Sequence, residues 1–158
     1  MNKIETIGNL QEGQLVQGIV KEIKPYGAFI ELKNGVTGLA HIVDLSVSRI
    51  KSPEERLKIG QEVKVAVKEI DSSRNKIMLS YKDTLGTWEE NVKNFKEKTY
   101  ATGIVRKADK NKNGVFIELT PNLVGMAEYK DNLKYGQEVQ VYIKKINPEK
   151  KKIKLLIK

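Results

Sequence analysis

Two aromatic residues stand beside a glycine in a stretch that otherwise alternates like a β-strand. The stretch is KPYGAFIELKNGVTGLAHI, residues 24–42, and its aromatic residues are Tyr26 and Phe29. An aromatic ring on a surface can stack on another flat ring, and lysines beside it attract phosphates. A ring on the other face of the strand packs into a hydrophobic core. The chemistry open to Phe29 therefore depends on which face of the strand it occupies.

Catalytic and metal-binding chemistry has little support in the sequence. His41 is the sole histidine and there is no cysteine, so no His or Cys ligand set and no disulfide framework can form. The acidic residues are mostly scattered over outward strand positions and turns, whereas nuclease metal sites need clustered carboxylates. We therefore expect a protein that is not an enzyme, with no catalytic residue, metal or cofactor.

The charge balance favours a polyanionic partner. The 158 residues carry a formal net charge of +9, and the sequence pI is about 9.5. Lysine and arginine in such excess attract phosphates, although a merely basic protein has the same composition. The charge is uneven, because residues 1–83 have a net charge of +2 and residues 84–158 of +7. The two halves are therefore expected to do different electrostatic work.

The sequence gives no sign of a membrane protein. No apolar stretch approaches the roughly 20 residues that a membrane-spanning helix needs. The first ten residues, MNKIETIGNL, lack an apolar signal region followed by a small-residue cleavage site. We expect no membrane partner and a cytoplasmic location.

The chain repeats itself, with four segments in the same order in both halves. The pairs are GQLVQGIV (13–20) with TYATGIV (99–105), GAFIELKNGVTGLAH (27–41) with GVFIELTPNLVGMAE (114–128), LKIGQEVKVAVKEID (57–71) with LKYGQEVQVYIKKIN (133–147), and NKIMLSY (75–81) with KKIKLLI (151–157). Two copies of one small domain follow, each of roughly 70 residues, a size at which small domains fold alone.

Each copy has the pattern of β-strands. Valines 63, 65 and 67 alternate with other residues, which predicts a strand buried on one face. Five such strands separated by turn residues suggest a small closed barrel, since closure removes unpaired edges. The predicted class is all-β, with barrels over residues 9–83 and 98–158 and a linker helix over 84–97.

The linker TWEENVKNF (87–95) has the features of a short helix. Thr87 and Glu90 have the spacing of a capping box. Trp88, Val92 and Phe95 fall on one helical face, so we expect that stripe to pack on a barrel. Trp88 could instead stack on a nucleobase, but its helical spacing favours packing.

Strand parity assigns Phe29 to the outer face. In GAFIEL the aliphatic residues Ala28, Ile30 and Leu32 share one face, and Phe29 shares the other with Glu31. The second copy repeats the pattern: Val115, Ile117 and Leu119 point inward, while Phe116 and Glu118 point outward. An outward phenylalanine beside lysines can stack on an unpaired nucleobase. The alternative is that a loop or the linker helix covers both rings.

The ordered motifs of the first copy resemble a known family. G-x-V, Y-G-A-F-I-E-L, G-L-A-H-I, G-Q-E-V-K-V, I-D and K-I-M-L-S, between about Gly13 and Ser80, are similar to the S1 domain, an RNA-binding module. The second copy, from about Thr99 to Ile157, resembles it less closely. The resemblance implies an OB-type barrel that binds single-stranded RNA across the outer face of its second and third strands.

The resemblance also implies which residues form the site. It places aromatic residues at Tyr26 and Phe29, a histidine at His41, an aspartate at Asp71 and a basic residue at Lys76. Tyr26 and Phe29 would stack bases, His41 would stack or hydrogen-bond, and Lys76 would meet a phosphate with help from Arg74. Asp71 would contact a base edge or a 2′-OH, or simply cap its turn, which we favour.

The second copy departs from this set. Asn113, Glu128 and Asn147 stand where Tyr26, His41 and Asp71 stood, while Phe116 and Lys152 keep their types. The turn KADKNKN (107–113) is longer and more basic than its counterpart. We expect the first barrel to contact bases, and the second to add attraction for phosphates through its lysines. Those lysines are Lys107, Lys110, Lys112 and Lys150 to Lys152; the run 150–152 could also be a solvated turn.

Two functions remain open from the sequence. The first is binding of single-stranded RNA, and possibly single-stranded DNA, with low sequence specificity. The second is a protein-interaction module associated with the ribosome or with RNA-processing proteins, in which the second barrel contacts protein. The departures at Asn113 and Glu128 motivate the second function, while binding of single-stranded RNA is the leading hypothesis.

Overall fold

The computed structural model describes residues 10–33 and 35–158, and within them two compact units. The first unit contains residues up to 46 and residues 50–85, and the second contains residues 47–49 and 86–158. Residue 9, where the first barrel is predicted to begin, and Asn34 lie outside the described residues. The domain limits drawn from the sequence stay a prediction.

The first unit is a closed barrel of five strands. Its strands are β1 (Leu15–Lys24), β2 (Gly27–Leu32), β3 (Thr37–His41), β4 (Glu62–Asp71) and β5 (Lys76–Ser80). The order around the barrel is β1-β2-β3-β5-β4, with β3 and β5 parallel and the other pairs antiparallel. Short 3-10 turns lie at Ile42–Asp44, Pro53–Glu55 and Lys82–Thr84.

The second unit is a barrel of the same design. Its strands are β6 (Tyr100–Asp109), β7 (Gly114–Thr120), β8 (Leu123–Ala127), β9 (Glu138–Asn147) and β10 (Lys152–Ile157). They follow the order β10-β8-β7-β6-β9, which repeats the connectivity of the first barrel. The predicted all-β class with two tandem five-stranded barrels is confirmed. Strand β6 runs to Asp109, so Lys107 lies in a strand and not in the turn to which the sequence assigned it.

Each barrel is filled by the residues that strand parity placed inside. Ala28 and Ile30 are fully buried and Leu32 nearly so, as are Val115 and Ile117 in the second copy. Gly38 on β3 packs against Leu79 of the neighbouring parallel strand β5. A Cβ at this position would come within 2.7 Å of a methyl carbon of Leu79. Gly125 holds the equivalent place against Leu155 in the second barrel. The repeated glycines let the parallel strands approach closely enough to close each barrel.

The helix α1, Trp88–Val92, begins at the predicted capping box. The Thr87 hydroxyl accepts from the Glu90 backbone N–H at 3.1 Å, and the Glu90 carboxylate accepts from the Thr87 N–H at 3.1 Å. Trp88, Val92 and Phe95 pack against the core of the second barrel, which confirms the predicted apolar stripe. At five residues the helix is shorter than the predicted linker, because the Asn94 and Phe95 N–H groups donate to carbonyl oxygens three residues back, which is turn geometry.

Thr87→Ala is expected to destabilise this helix and its packing by about 1 kcal/mol, since it removes an N-cap acceptor. Urea unfolding followed by the fluorescence of Trp88, the sole tryptophan, measures the change at the helix itself. Thr87→Ser is the matched control and should keep nearly all of the stability. Equal losses in both variants would contradict a capping role.

Candidate nucleic-acid interface

Tyr26 and Phe29 form an aromatic pair on the surface of the first barrel. Their ring centroids lie 6.2 Å apart with the planes at 89°, an edge-to-face arrangement. Tyr26 lies in the turn between β1 and β2, and its carbonyl oxygen accepts a 2.8 Å hydrogen bond from the Ile42 N–H. This bond ties the turn to the end of β3. The Tyr26 side chain is 49% exposed and Phe29 is half-buried, so both rings keep a face that a ligand can reach.

Two residues that the sequence reasoning missed extend this aromatic pair across the barrel. Leu39 on β3 stands directly opposite Phe29, and Met78 on β5 stands opposite Leu39. All three are half-buried side chains on the outer face, flanked by inward residues. Parity could have found them, because Met78 lies between the inward Ile77 and Leu79. Phe29, Leu39 and Met78 together form what we call the apolar strip.

His41 and Lys76 lie on β3 and β5, the strands that carry Leu39 and Met78 of the apolar strip. His41 ends β3, is half-buried, and stands opposite Gly27, which has no side chain to cover it. Lys76 opens β5 two residues before Met78 and is exposed. Successive outward residues of a strand are about 7 Å apart, so the ammonium group of Lys76 can reach a phosphate beside the strip.

Asp71 and Arg74 are engaged with their own turn. The Asp71 carboxylate accepts from the Ser73 hydroxyl at 2.6 Å and from the Arg74 N–H at 3.2 Å, and the Arg74 guanidinium lies 3.7 Å away. The hydrogen bond from Ser73 is the main reason that the pKa of Asp71 lies below its usual value. In the second barrel Asn147 accepts from the Lys150 N–H at 3.2 Å in the same kind of turn. An amide that caps the same turn supports a structural role for Asp71.

Carboxylates border the aromatic pair on the side of β1. Glu22 stands opposite Phe29, and its carboxylate lies 2.7 Å from the Lys24 ammonium. The hydrogen bond to Glu22 raises the pKa of Lys24. A polyanion is therefore better accommodated on the side of β3 and β5, where the apolar strip continues towards Lys76.

The second barrel keeps Phe116 but surrounds it differently. Phe116 is 38% exposed and stands between Lys107 on β6 and Met126 on β8, and Met126 stands opposite Lys154 on β10. Lys154 thus replaces Met78. These residues line a groove of about 890 Å³ that also includes Lys152.

The groups that replace Tyr26 and His41 have different surroundings. Asn113 has a positive φ of 51°, and its side-chain oxygen accepts from the Tyr129 N–H at 3.1 Å. Its side chain therefore stabilises the local backbone. Glu128 is exposed beyond the end of β8. Among the expected phosphate-attracting lysines, Lys151 lies 3.3 Å from Glu89 in an ion pair, and the others are also exposed. The second barrel therefore offers one aromatic ring within a basic surface on this face.

The sequence predicts that Glu118 points outward, and the structure corrects this in one respect: its side chain is covered and not solvated. It alternates with the buried Val115 and Ile117, as expected, yet its side chain is only 5% exposed. Arg106, equally buried, reaches it with Nε and Nη2 at 3.3 Å each, and the Ser48 hydroxyl also donates to it. Arg106 further donates to the Tyr135 hydroxyl at 3.1 Å. A covered ion pair, and not a solvated carboxylate, therefore stands two residues from Phe116.

The described part of the chain has neither a metal-ligand cluster nor a membrane-spanning helix. Residues 10–33 and 35–158 contain no group of three or more His, Cys, Asp or Glu side chains placed to hold a metal ion. Over the same residues, no helix has the length and apolar character needed to cross a membrane.

Comparisons with known proteins give one family match and several relatives. A protein-family model for the S1 RNA binding domain matches residues 9–82. The small ribosomal subunit protein bS1 of Staphylococcus aureus (strain COL) is 36% identical over 168 residues, covering 99% of this chain and 42% of that protein. The 4-hydroxy-3-methylbut-2-enyl diphosphate reductase of Clostridium acetobutylicum is 36% identical over 172 residues, covering 98% of this chain and 26% of that protein.

A solved structure gives a match of similar identity. The solution structure of GSP13 from Bacillus subtilis is 33% identical with a TM-score of 0.48, covering 50% of this chain and 61% of that one. The chain spans less than half the length of the two curated relatives. The first barrel therefore matches the S1 RNA-binding domain family, and the second barrel repeats its strand order.

Proposed function

We propose that this chain binds single-stranded RNA through the outer face of β2 and β3 in the first barrel, with low sequence specificity. The observation that carries the proposal is the Tyr26–Phe29 pair and its continuation across Leu39 and Met78, within the segment that matches the S1 family. Aromatic faces stack on any base, because every base has a π-face. Tyr26, Phe29 and His41 would meet bases, and Lys76 with Arg74 would meet phosphates.

The Phe116 face of the second barrel would contribute mainly through its charge. Residues 84–158 hold a net charge of +7, and Phe116 and Lys152 lie within the lysine-rich groove. Long-range attraction of phosphates by such a surface is independent of base sequence. Two linked weak sites would also gain avidity if both engaged one RNA strand.

RNA affinity is expected to fall steeply with salt. Each phosphate neutralised on a single strand contributes about −0.7 to the slope of log K against log salt concentration. Fluorescence anisotropy of a labelled, unstructured oligoribonucleotide across a potassium chloride series measures this slope. A DNA oligomer of the same sequence, run in parallel, tests whether single-stranded DNA is also a partner. Absence of RNA binding at low salt would contradict the proposal.

We propose that the chain acts by binding and not by catalysis, in the cytoplasm. The support is the ribosomal name of the bS1 relative. The match to the reductase spans 26% of that enzyme, so its name does not carry over. Cleavage of RNA by the purified chain in the presence of Mg²⁺ would contradict this.

A second function rests on the departures in the second barrel. Asn113 serves a turn and Glu128 places a carboxylate where the first barrel has His41. These changes favour contact with a protein of the ribosome or of the RNA-processing machinery. A pull-down that needs the second barrel and survives nuclease treatment would favour it over RNA binding by that barrel.

A further inference from the structure

A second aromatic surface lies on another face of the second barrel, away from the strands that carry Phe116. Tyr100 on β6 stands opposite Tyr142 on β9, and Tyr142 stands opposite Leu156 on β10. The two rings have centroids 5.2 Å apart and planes at 60°. Tyr100 is 57% exposed and Leu156 is also exposed. We call these three residues, together with Lys158, the tyrosine face.

Closing the barrel does not require aromatic residues at these positions. Val141 and Ile143, on either side of Tyr142, are fully buried and fill the interior. In the first barrel the same register positions hold Leu15, Ala66 and Ser80. The tyrosines are therefore a feature of the second copy alone. Because both tyrosines point outward and do not fill the core, their role lies at the surface: their rings are placed where a ligand can reach them.

The charge around the tyrosine face fits an anion. The Lys158 ammonium lies 5.3 Å from the Tyr100 ring centroid and 5.7 Å from that of Tyr142, within cation–π range. The Lys158 backbone N–H donates to the Gln140 carbonyl at 2.9 Å, which holds this lysine beside the rings. Along β10 exposed Lys152 and Lys154 alternate with buried core residues on the way to Leu156. The outward carboxylate on this side of β9 is Glu138, four residues from Tyr142.

We propose that the tyrosine face is a second stacking site for nucleobases of single-stranded RNA, with Lys154 and Lys158 holding the adjacent phosphates. Flat rings next to cations match the two parts of a nucleotide, a base and a phosphate. Exposed Tyr100 offers a ring face for a base. Lys158 is placed to exchange its contact with the rings for one with a phosphate. This inference rests on the proposed function.

The strands also give the RNA a continuous route. Phe116 stands opposite Met126, Met126 stands opposite Lys154, and the next outward residue of β10 is Leu156, which stands opposite Tyr142. Neighbouring strands are about 4.8 Å apart and successive outward residues about 7 Å. A single strand that crosses Phe116 can therefore follow the lysines of β10 to the tyrosine face. The second barrel would bind RNA by a path that the first barrel lacks.

The test compares two double variants of the full chain. Tyr100→Leu with Tyr142→Leu removes the rings, and Tyr100→Phe with Tyr142→Phe keeps them and is the matched control. The probe is a labelled oligouridylate of about 24 nucleotides, with one of about 8 nucleotides as the short comparison. The leucine variant is expected to bind the long oligomer about tenfold more weakly. The phenylalanine variant should stay close to the unmodified chain, and the short oligomer should bind all three alike through the first barrel.

The outcomes separate this inference from the proposed function. Unchanged affinity of the folded leucine variant for the long oligomer would overturn the tyrosine face and leave the first-barrel site standing. Failure of the unmodified chain to bind either oligomer would overturn both. If the leucine variant does not fold, proton NMR of the unmodified chain decides. The ring signals of Tyr100 and Tyr142 should shift on addition of the long oligomer, and unmoved signals would overturn the inference.

Discussion

Phe29→Ala is expected to weaken binding of single-stranded RNA by about 1–3 kcal/mol, or about 5- to 150-fold. The ring lies at the centre of the candidate site, edge-to-face with Tyr26 on one side and opposite Leu39 on the other. Its removal takes away a stacking face and leaves Tyr26 without the ring that orients it. Anisotropy titration of an unstructured oligoribonucleotide at fixed salt measures the loss.

Phe116→Ala is expected to have a much smaller effect on the same titration. Phe116 has Asn113 in place of a second aromatic residue, and the lysines around it attract phosphates whether or not the ring is present. Ile19→Ala is the control for loss of an exposed apolar side chain, because Ile19 stands on β1 between Glu31 and Glu62, away from the strip. It should bind RNA normally. Equal losses for Phe29→Ala and Phe116→Ala would refute the division of labour between the two phenylalanine faces.

The alternation of residue types was sufficient to predict the direction of side chains in the strands. Ala28 and Ile30 are inside and Phe29 is outside because a strand turns successive side chains to opposite faces, whatever its neighbours are. The repeat of segments likewise predicted two barrels of one design. The same order of segments occurs twice in the sequence, and each set of five strands closes into a barrel with the same strand order.

Neighbours across strands could not be predicted in the same way. Leu39 and Met78 join Phe29 only through the register of β2, β3 and β5, and the parallel pairing of β3 with β5 joins segments far apart in sequence. The Tyr100–Tyr142 contact depends similarly on the pairing of β6 with β9. Parity marks each of these residues as outward, but only the register shows which outward residues touch.

Exposure is a further property that parity does not determine. Glu31 and Glu118 hold the same position in the two repeats and point the same way, yet one is solvated and the other covered. The difference arises from residues outside the strand. At the bulge that precedes the pairing with Phe29 or Phe116, the first barrel has Lys21 and the second has Arg106. Arg106 is held over Glu118 by contacts that include Tyr135.

Arg106→Ala is expected to destabilise the second barrel by about 3–5 kcal/mol, which is the usual cost of leaving a buried charge without its partner. Both side chains of the Arg106–Glu118 pair are 5% exposed, so water cannot replace the lost guanidinium. Arg106 also stands 5.4 Å from the Tyr135 ring centroid, and that contact is lost as well. Urea unfolding followed by Trp88 fluorescence reports this barrel, because Trp88 packs against its core.

The first repeat supplies the matched control. Lys21 and Glu31 hold the corresponding positions, with the ammonium 3.9 Å from the carboxylate and the side chains 51% and 47% exposed. A solvated pair of this kind contributes about 0–1 kcal/mol, so Lys21→Ala should change unfolding, followed by far-ultraviolet circular dichroism, very little. Arg106→Met with Glu118→Leu should lose less stability than Arg106→Ala, because it leaves no unpaired charge. Equal small effects of Arg106→Ala and Lys21→Ala would mean that Glu118 reaches water after all, and that the two repeats differ here in charge alone.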